Sequence, residues 1–136
     1  MNGTHNQAKK NRQLGKLGER LALQFLVKKD YSLVARNYQG HWGELDLIMK
    51  KDQRFIFIEV KTRKNPNFGS GEEAVDHFKK RKLLRAIHQF MENNKVANMP
   101  IKSPPEQEWQ LDLVAIDFIG FNLAKIRHFE NILGAG

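Results

Sequence analysis

The chain has 136 residues, 40% hydrophobic and 28% charged, which suits one globular domain with a real core and leaves too little for two. It has no cysteine, which excludes disulfides, thiol catalysis and Cys-ligated zinc and fits a reducing cytoplasm. A formal net charge of +8 suits a polyanionic partner, and no apolar run approaches the length of a membrane span.

Residues 1–11, MNGTHNQAKKN, are small, polar and basic, and carry no apolar segment of the secretory-signal kind. They predict a disordered basic N-terminus ahead of a single domain over residues 12–133. From Arg12 to Lys29 the pattern is helical, with Leu14, Leu17, Leu21 and Phe25 recurring at three- and four-residue intervals. Gly15 and Gly18 interrupt this helix, and each costs about 1 kcal/mol there relative to alanine. With Ala22 they make a small-residue stripe that lets another backbone approach, and Glu19 borders it. A surface pairing of Glu19 with a lysine fits the same pattern. Tyr31–Tyr38 reads as a first strand and residues 39–43 as a turn, where His41 is a candidate substrate contact.

The next stretch, Gly43 to Lys61, holds two runs of period two around a polar break. Such runs of β-branched and aromatic residues argue strands, and the break is too short for anything but an antiparallel hairpin. With Asp52-Gln53 as a two-residue turn, Leu45, Leu47 and Met49 oppose Val60, Ile58 and Ile56 on one apolar face. On the other face Ile48 meets Phe57, Asp46 meets Glu59 and Glu44 meets Lys61. Two opposed carboxylates repel, by roughly 0.2–1 kcal/mol at an exposed pair. A divalent cation between them would reverse that sign, and oxygen-only ligands suit Mg²⁺, Mn²⁺ or Ca²⁺. A solvated face on which Lys61 neutralises both acids accounts for the spacing equally well.

Residues 62–71 read as a loop from their Pro, Asn and Gly content, with Phe68 free to stack on a base or to close the core. A second helix is predicted over Val75–Asn94, with Glu72 and Glu73 suited to its N-terminal end. Arg63, Lys64, Lys79, Lys80, Lys82 and Arg85 are candidate nucleic-acid contacts. Residues 95–108, with Pro100, Pro104 and Pro105, form an irregular connection. Trp109–Asp117 alternates as a strand, Phe118–Asn122 turns, and Leu123–Phe129 is a last strand. The predicted order is α-β-β-β-α-β-β, a mixed sheet flanked by helices.

Taken together, LGKLGERLALQFL, GELDLIM, FIFIEVKTRK, EEAV…K and LDLVAID resemble the YraN-type family of small bacterial proteins. That family is similar to Holliday junction resolvases within the PD-(D/E)xK nuclease superfamily, and the resemblance covers nearly the whole chain after residue 11. It implies a restriction-endonuclease-like fold. It also implies that Asp46 and Glu59 hold Mg²⁺ or Mn²⁺, with the Val60 carbonyl as a further ligand and Glu19 completing the acidic cluster. Lys61 would then orient or activate the attacking water and stabilise charge on the phosphate. The proline that often precedes the aspartate in the superfamily is Leu45 here. The implied activity is a metal-dependent endonuclease on DNA, with branched or structured DNA as the expected substrate. The alternative is a non-catalytic nucleic-acid-binding module that keeps the nuclease fold. Symmetric cleavage of a four-way junction needs two active sites, so a homodimer is expected, with Ile101 or Phe121 as candidate contacts.

Overall fold

The period-two runs and the helical stretches become five strands and two helices in a computed structural model, which describes residues 2–64, 77–94, 109–120 and 123–133. In chain order these are α1 (Asn2–Lys28), β1 (Ser32–Gln39), β2 (Glu44–Lys51), β3 (Arg54–Arg63), α2 (His77–Asn93), β4 (Trp109–Gly120) and β5 (Leu123–Phe129). The order α-β-β-β-α-β-β is the expected one, and the fold is mixed α/β. One sheet holds the strands in sequence order, β1-β2-β3-β4-β5. Neighbours are antiparallel except β3 and β4, which run parallel. The connection between those two contains α2, as a parallel crossover requires.

Each face of the sheet carries one helix. Leu45, Ile48, Phe57, Leu111 and Leu113 pack under Leu83, Ala86, Ile87 and Phe90 of α2. Leu47, Met49, Ile56, Ile58, Val114 and Ile116 pack under Ala22 and Leu26 of α1. Covered on both sides, β4 is buried without interruption from Leu111 to Asp117. Among the described residues no helix is long and apolar enough to cross a membrane.

Helix α1 closes with the paired bonds of a Schellman turn. Tyr31 N–H donates to the Leu26 carbonyl at 3.1 Å and Asp30 N–H to the Val27 carbonyl at 3.1 Å. Asp30 takes the left-handed position at φ 70° that glycine usually fills. Tyr31 and Leu26 are both buried in the same cluster, the apolar contact that accompanies this turn.

Three expectations are corrected. The N-terminus predicted to be disordered is the first part of α1, which starts at Asn2. A helix already nucleated on the sheet extends cheaply through good helix formers such as Gln7, Ala8, Lys9 and Lys10. Gln7 Nε2 also donates to Asn11 Oδ1 one turn on at 3.0 Å. Second, Leu45 does not share a face with Leu47 and Met49 but lies with Ile48 against α2. Third, β3 runs on through Arg63 and β4 through Gly120, so neither strand stops where turn composition suggests. Expectations for Phe68, Glu72, Glu73, Val75, residues 95–108, Ile101 and Phe121 lie outside the described residues.

Candidate active site

The site is built by the β2–β3 hairpin. Its turn puts Asp52 at φ 52° and Gln53 at φ 65°, the two left-handed residues of a type I′ turn, although neither is glycine. That turn fixes the expected register, and Leu47–Ile58, Ile48–Phe57 and Met49–Ile56 are opposed. The ladder then stops at Leu47–Ile58, while β3 stays paired with β4 as far as Arg63–Asp117. Asp46–Glu59 and Glu44–Lys61 therefore lie beyond the paired ladder. Here β2 follows β1 instead, from Ala35–Ile48 to Gln39–Glu44. Asn37, at φ 48°, marks the turn of both strands: Ala35 and Tyr38 pack with Ile48 and Leu45 toward α2. This switch is why Leu45 changes face. It also aims the Asp46 carboxylate at β3, where Oδ2 accepts the Val60 N–H at 2.9 Å.

Asp46 and Glu59 are thus brought together as the sequence implies. Glu59 is 5% exposed, and Lys79 Nζ from α2 lies 2.5 Å from its Oε1. Burial, followed by the Glu59 charge, pushes the Asp46 carboxyl up to about 8, against the pull of the Val60 N–H. Glu19 is half-buried on α1. Burial and then the Glu44 charge raise its proton affinity, with Arg36 and an Asn37 hydrogen bond working against them, and its charge reaches Asp46.

Gly18 accounts for how closely α1 approaches. A Cβ there would lie 2.1 Å from Thr62 Oγ1 and 3.2 Å from Thr62 Cβ, so the helix rests on β3 one residue past Lys61. Gly15 has no such neighbour. It borders a second cleft.

Two clefts frame the acids. One, about 370 Å³, is lined by Trp42, Gly43, Glu44, Asp46, Glu59, Lys79, Lys82 and Leu83. The other, about 420 Å³, is lined by Asn11, Leu14, Gly15, Glu19, Val60, Lys61, Thr62, Lys64 and Lys79. Lys79 borders both. Of the remaining candidate cations, Lys64, Lys82 and Arg85 are exposed and Lys80 is half-buried. The Arg85 guanidinium lies over the Trp42 ring, 5.2 Å from its centroid. Arg63 has a different place from the expected one: its Nε donates to Asp117 Oδ1 at 3.0 Å, and Arg127 reaches Asp117 Oδ2 at 2.7 Å. Desolvation would raise the Asp117 carboxyl, but these two guanidiniums outweigh it and hold it below the usual range.

The donor set suits a hard divalent cation. Burial and the Glu59 charge raise the Asp46 carboxyl, and a lysine already lies against Glu59. Glu19, Asp46 and Glu59 do not form a tight triplet. Such a triplet does occur elsewhere: Asp112, His128 and Glu130 offer ligand atoms within 4.8 Å of one another. There Lys29 Nζ lies 2.8 Å from His128 Nδ1, so Nδ1 accepts and Nε2 carries the proton toward Asp112 Oδ2 at 2.7 Å. Gln110 Nε2 and the Asn131 N–H complete Asp112 at 2.8 and 2.9 Å. Burial, then the Asp112 and Glu130 charges, hold the Tyr31 phenol above its ordinary range. A cation here would have to displace a proton from a hydrogen-bonded network centred on the buried Asp112. Sequence alternation marks Asp112 only as one polar strand position, because three of its partners lie far off in the chain: Tyr31 before β1, His128 of β5 and Asn131 after β5.

Fold and site together define a mixed α/β domain that sets two carboxylates and two lysines where a central strand outruns its neighbour. Residues 18–116 match the Uncharacterised protein family UPF0102, and the chain belongs to that family. A UPF0102 protein of Syntrophomonas wolfei is 41% identical over 123 residues, 89% of this chain and 97% of the relative. One from Dictyoglomus thermophilum is 40% identical over 125 residues, covering 92% and 98%. One from Fusobacterium nucleatum is 37% identical over 116 residues, covering 81% and 98%.

Proposed function

We propose that the chain is a divalent-metal-dependent endonuclease acting on DNA. The observation that carries this reading is the Asp46–Glu59 pair, in which burial and the Glu59 charge raise the Asp46 carboxyl and whose repulsion a divalent cation would offset, with Lys61 and Lys79 on the clefts around it. Asp46 and Glu59 are the ligands that Mg²⁺ or Mn²⁺ would take, with the Val60 carbonyl and Glu19 as further oxygen donors. When bound, such an ion supplies Lewis-acid polarisation of the phosphate and an acidified water. Lys61 places a positive donor where charge develops on the phosphate, and loss of one such donor commonly costs on the order of 10²–10³ in rate. With a cation held by the carboxylates, Lys79 would be released from its pair with Glu59 and could meet the phosphate. Lys64, Lys80, Lys82 and Arg85 hold the flanking backbone.

The test is a cleavage panel of linear, nicked, flapped and four-way DNA with Mn²⁺. Cleavage should need the metal and vanish in Glu59→Ala and in Lys61→Ala; activity that survives both removes the site assignment. Symmetric resolution of a four-way junction would further require a homodimer, which sedimentation would detect.

The Lys79–Glu59 ion pair favours a second reading, a nucleic-acid-binding module in which lysine has replaced the metal for good. Binding to every DNA without cleavage in any metal would support it.

A further inference from the structure

An exposed tryptophan stands on the cleft of the two acids. Trp42 is 53% exposed and belongs to neither core cluster. Single exposed apolar residues are common and need no purpose; Leu123 and Ile119, at the β4–β5 turn, are of that kind. Trp42 differs in how it is held. Gly40 N–H donates to the Gly43 carbonyl at 2.8 Å, closing the loop around residues 41 and 42. The His41 N–H donates to Gln89 Oε1 of α2 at 2.7 Å. Gly40 makes room for that oxygen, which would lie 2.7 Å from a Cβ. His41 meets the Trp42 ring edge-on at 4.9 Å, and the Arg85 guanidinium lies over it. The Arg85 guanidinium thus takes one face of the ring, and the loop holds the remaining aromatic surface open to solvent.

The surroundings say what that surface suits. Trp42 lines the same cleft as Glu44, Asp46, Glu59, Lys79 and Lys82, so an aromatic plane, three carboxylates and two ammonium groups face one space. At about 30 Å³ per liquid water, that cleft has room for roughly a dozen waters. A base stacked on an indole is stabilised whatever its sequence, provided that it is not already stacked within a duplex. The Lys82 and Lys79 ammonium groups on that cleft are the ones suited to the attached phosphates.

We propose that Trp42 is a stacking platform for an unpaired nucleobase beside the Asp46–Glu59 pair. The nucleic acid that this site takes then carries a single-stranded or unstacked nucleotide next to the scissile phosphate, as at a flap, gap or branch. This rests on the nucleic-acid reading above and adds the structural class of the substrate.

Binding without metal separates the two. The full-length chain is titrated in EDTA against a fluorescent 12-nucleotide single strand and against a blunt duplex. The single strand should bind more tightly. Trp42→Ala should weaken its binding roughly 5- to 150-fold while changing duplex binding less than about 2-fold, and Trp42→Phe should recover most of the loss. Melting temperatures of both variants should match the parent. An abasic site at the stacked position should remove the difference between parent and Trp42→Ala. The platform is overturned if Trp42→Ala weakens both probes alike, weakens neither, or is no worse than Trp42→Phe. Absence of binding to either probe overturns the nucleic-acid reading itself. A silent Trp42→Ala in a protein that binds overturns the platform alone.

Discussion

Asp46 sits between a donor that favours its charge, the Val60 N–H, and a carboxylate that opposes it, Glu59. Opposition and burial win, and the carboxyl rises to about 8. The sign for stability follows. Between the ordinary 3.8 and about 8, the folded chain binds a proton that the unfolded chain has lost, so this residue makes the fold less stable as pH rises across that window. Asp46→Asn keeps the shape and an acceptor for Val60 while removing the charge. It should melt higher than the parent at pH 8, and the difference should close by pH 4, as thermal unfolding across pH would show. A cation held by Asp46, as proposed, would have to displace that proton. Mn²⁺ affinity should therefore rise from pH 6 to 8, with proton release measurable by calorimetry in buffers of different ionisation enthalpy.

Asp117 has the opposite sign. Its depressed folded value contributes stability that is present above the unfolded value of about 3.9 and is lost as pH falls through the folded one. Asp117→Asn leaves two guanidiniums without this carboxylate. The loss should approach the roughly 3–5 kcal/mol of a broken buried pair, reduced because Arg127 is 27% exposed; denaturant unfolding measures it. At this scale the sequence was a partial guide. Asp46, Glu59 and Lys61 are legible because period two fixes their relation within one hairpin. The Lys79 partner of Glu59 and the Arg63–Asp117 pair are not, because both join residues brought together only by the α2 crossover.

The same division holds for the elements. The hairpin register was readable from face matching even though its turn lacks glycine. The change of face at Leu45 was not, because it originates in β1 at Asn37, on the neighbouring strand. The two helix glycines look alike in sequence and part company in space. Gly18 touches Thr62 and Gly15 touches nothing. Gly15→Ala should therefore stabilise the chain by about 1 kcal/mol, the helix-propensity difference. Gly18→Ala offers the same gain in propensity but forces α1 away from β3, so it should lower the melting temperature. Adding Thr62→Ala should restore part of that loss, because the clashing Oγ1 is then gone.

For the molecule as a whole, the net charge of +8 fits the proposed polyanionic partner without saying which cations would meet it. The fold separates them. Arg63 is bound within the sheet by Asp117, whereas Lys82 lines the cleft of the acids. Affinity for duplex DNA should fall linearly with salt on a logarithmic scale, by about 0.9 in slope for each phosphate neutralised. Lys82→Met, at an exposed position, should then reduce the slope by about one unit and lower the melting temperature less than Arg63→Met does. Arg63→Met should do the reverse, lowering the melting temperature while keeping the slope of whatever protein remains folded. Titrations with one duplex at several salt concentrations, beside thermal melts of the same samples, measure both quantities. Equal slopes for Lys82→Met and the parent would place the DNA backbone elsewhere. A reduced slope for Arg63→Met in fully folded protein would show that the Asp117 pair opens to the phosphate. The contrast works because charge acts over the whole surface while stability is decided at the pair.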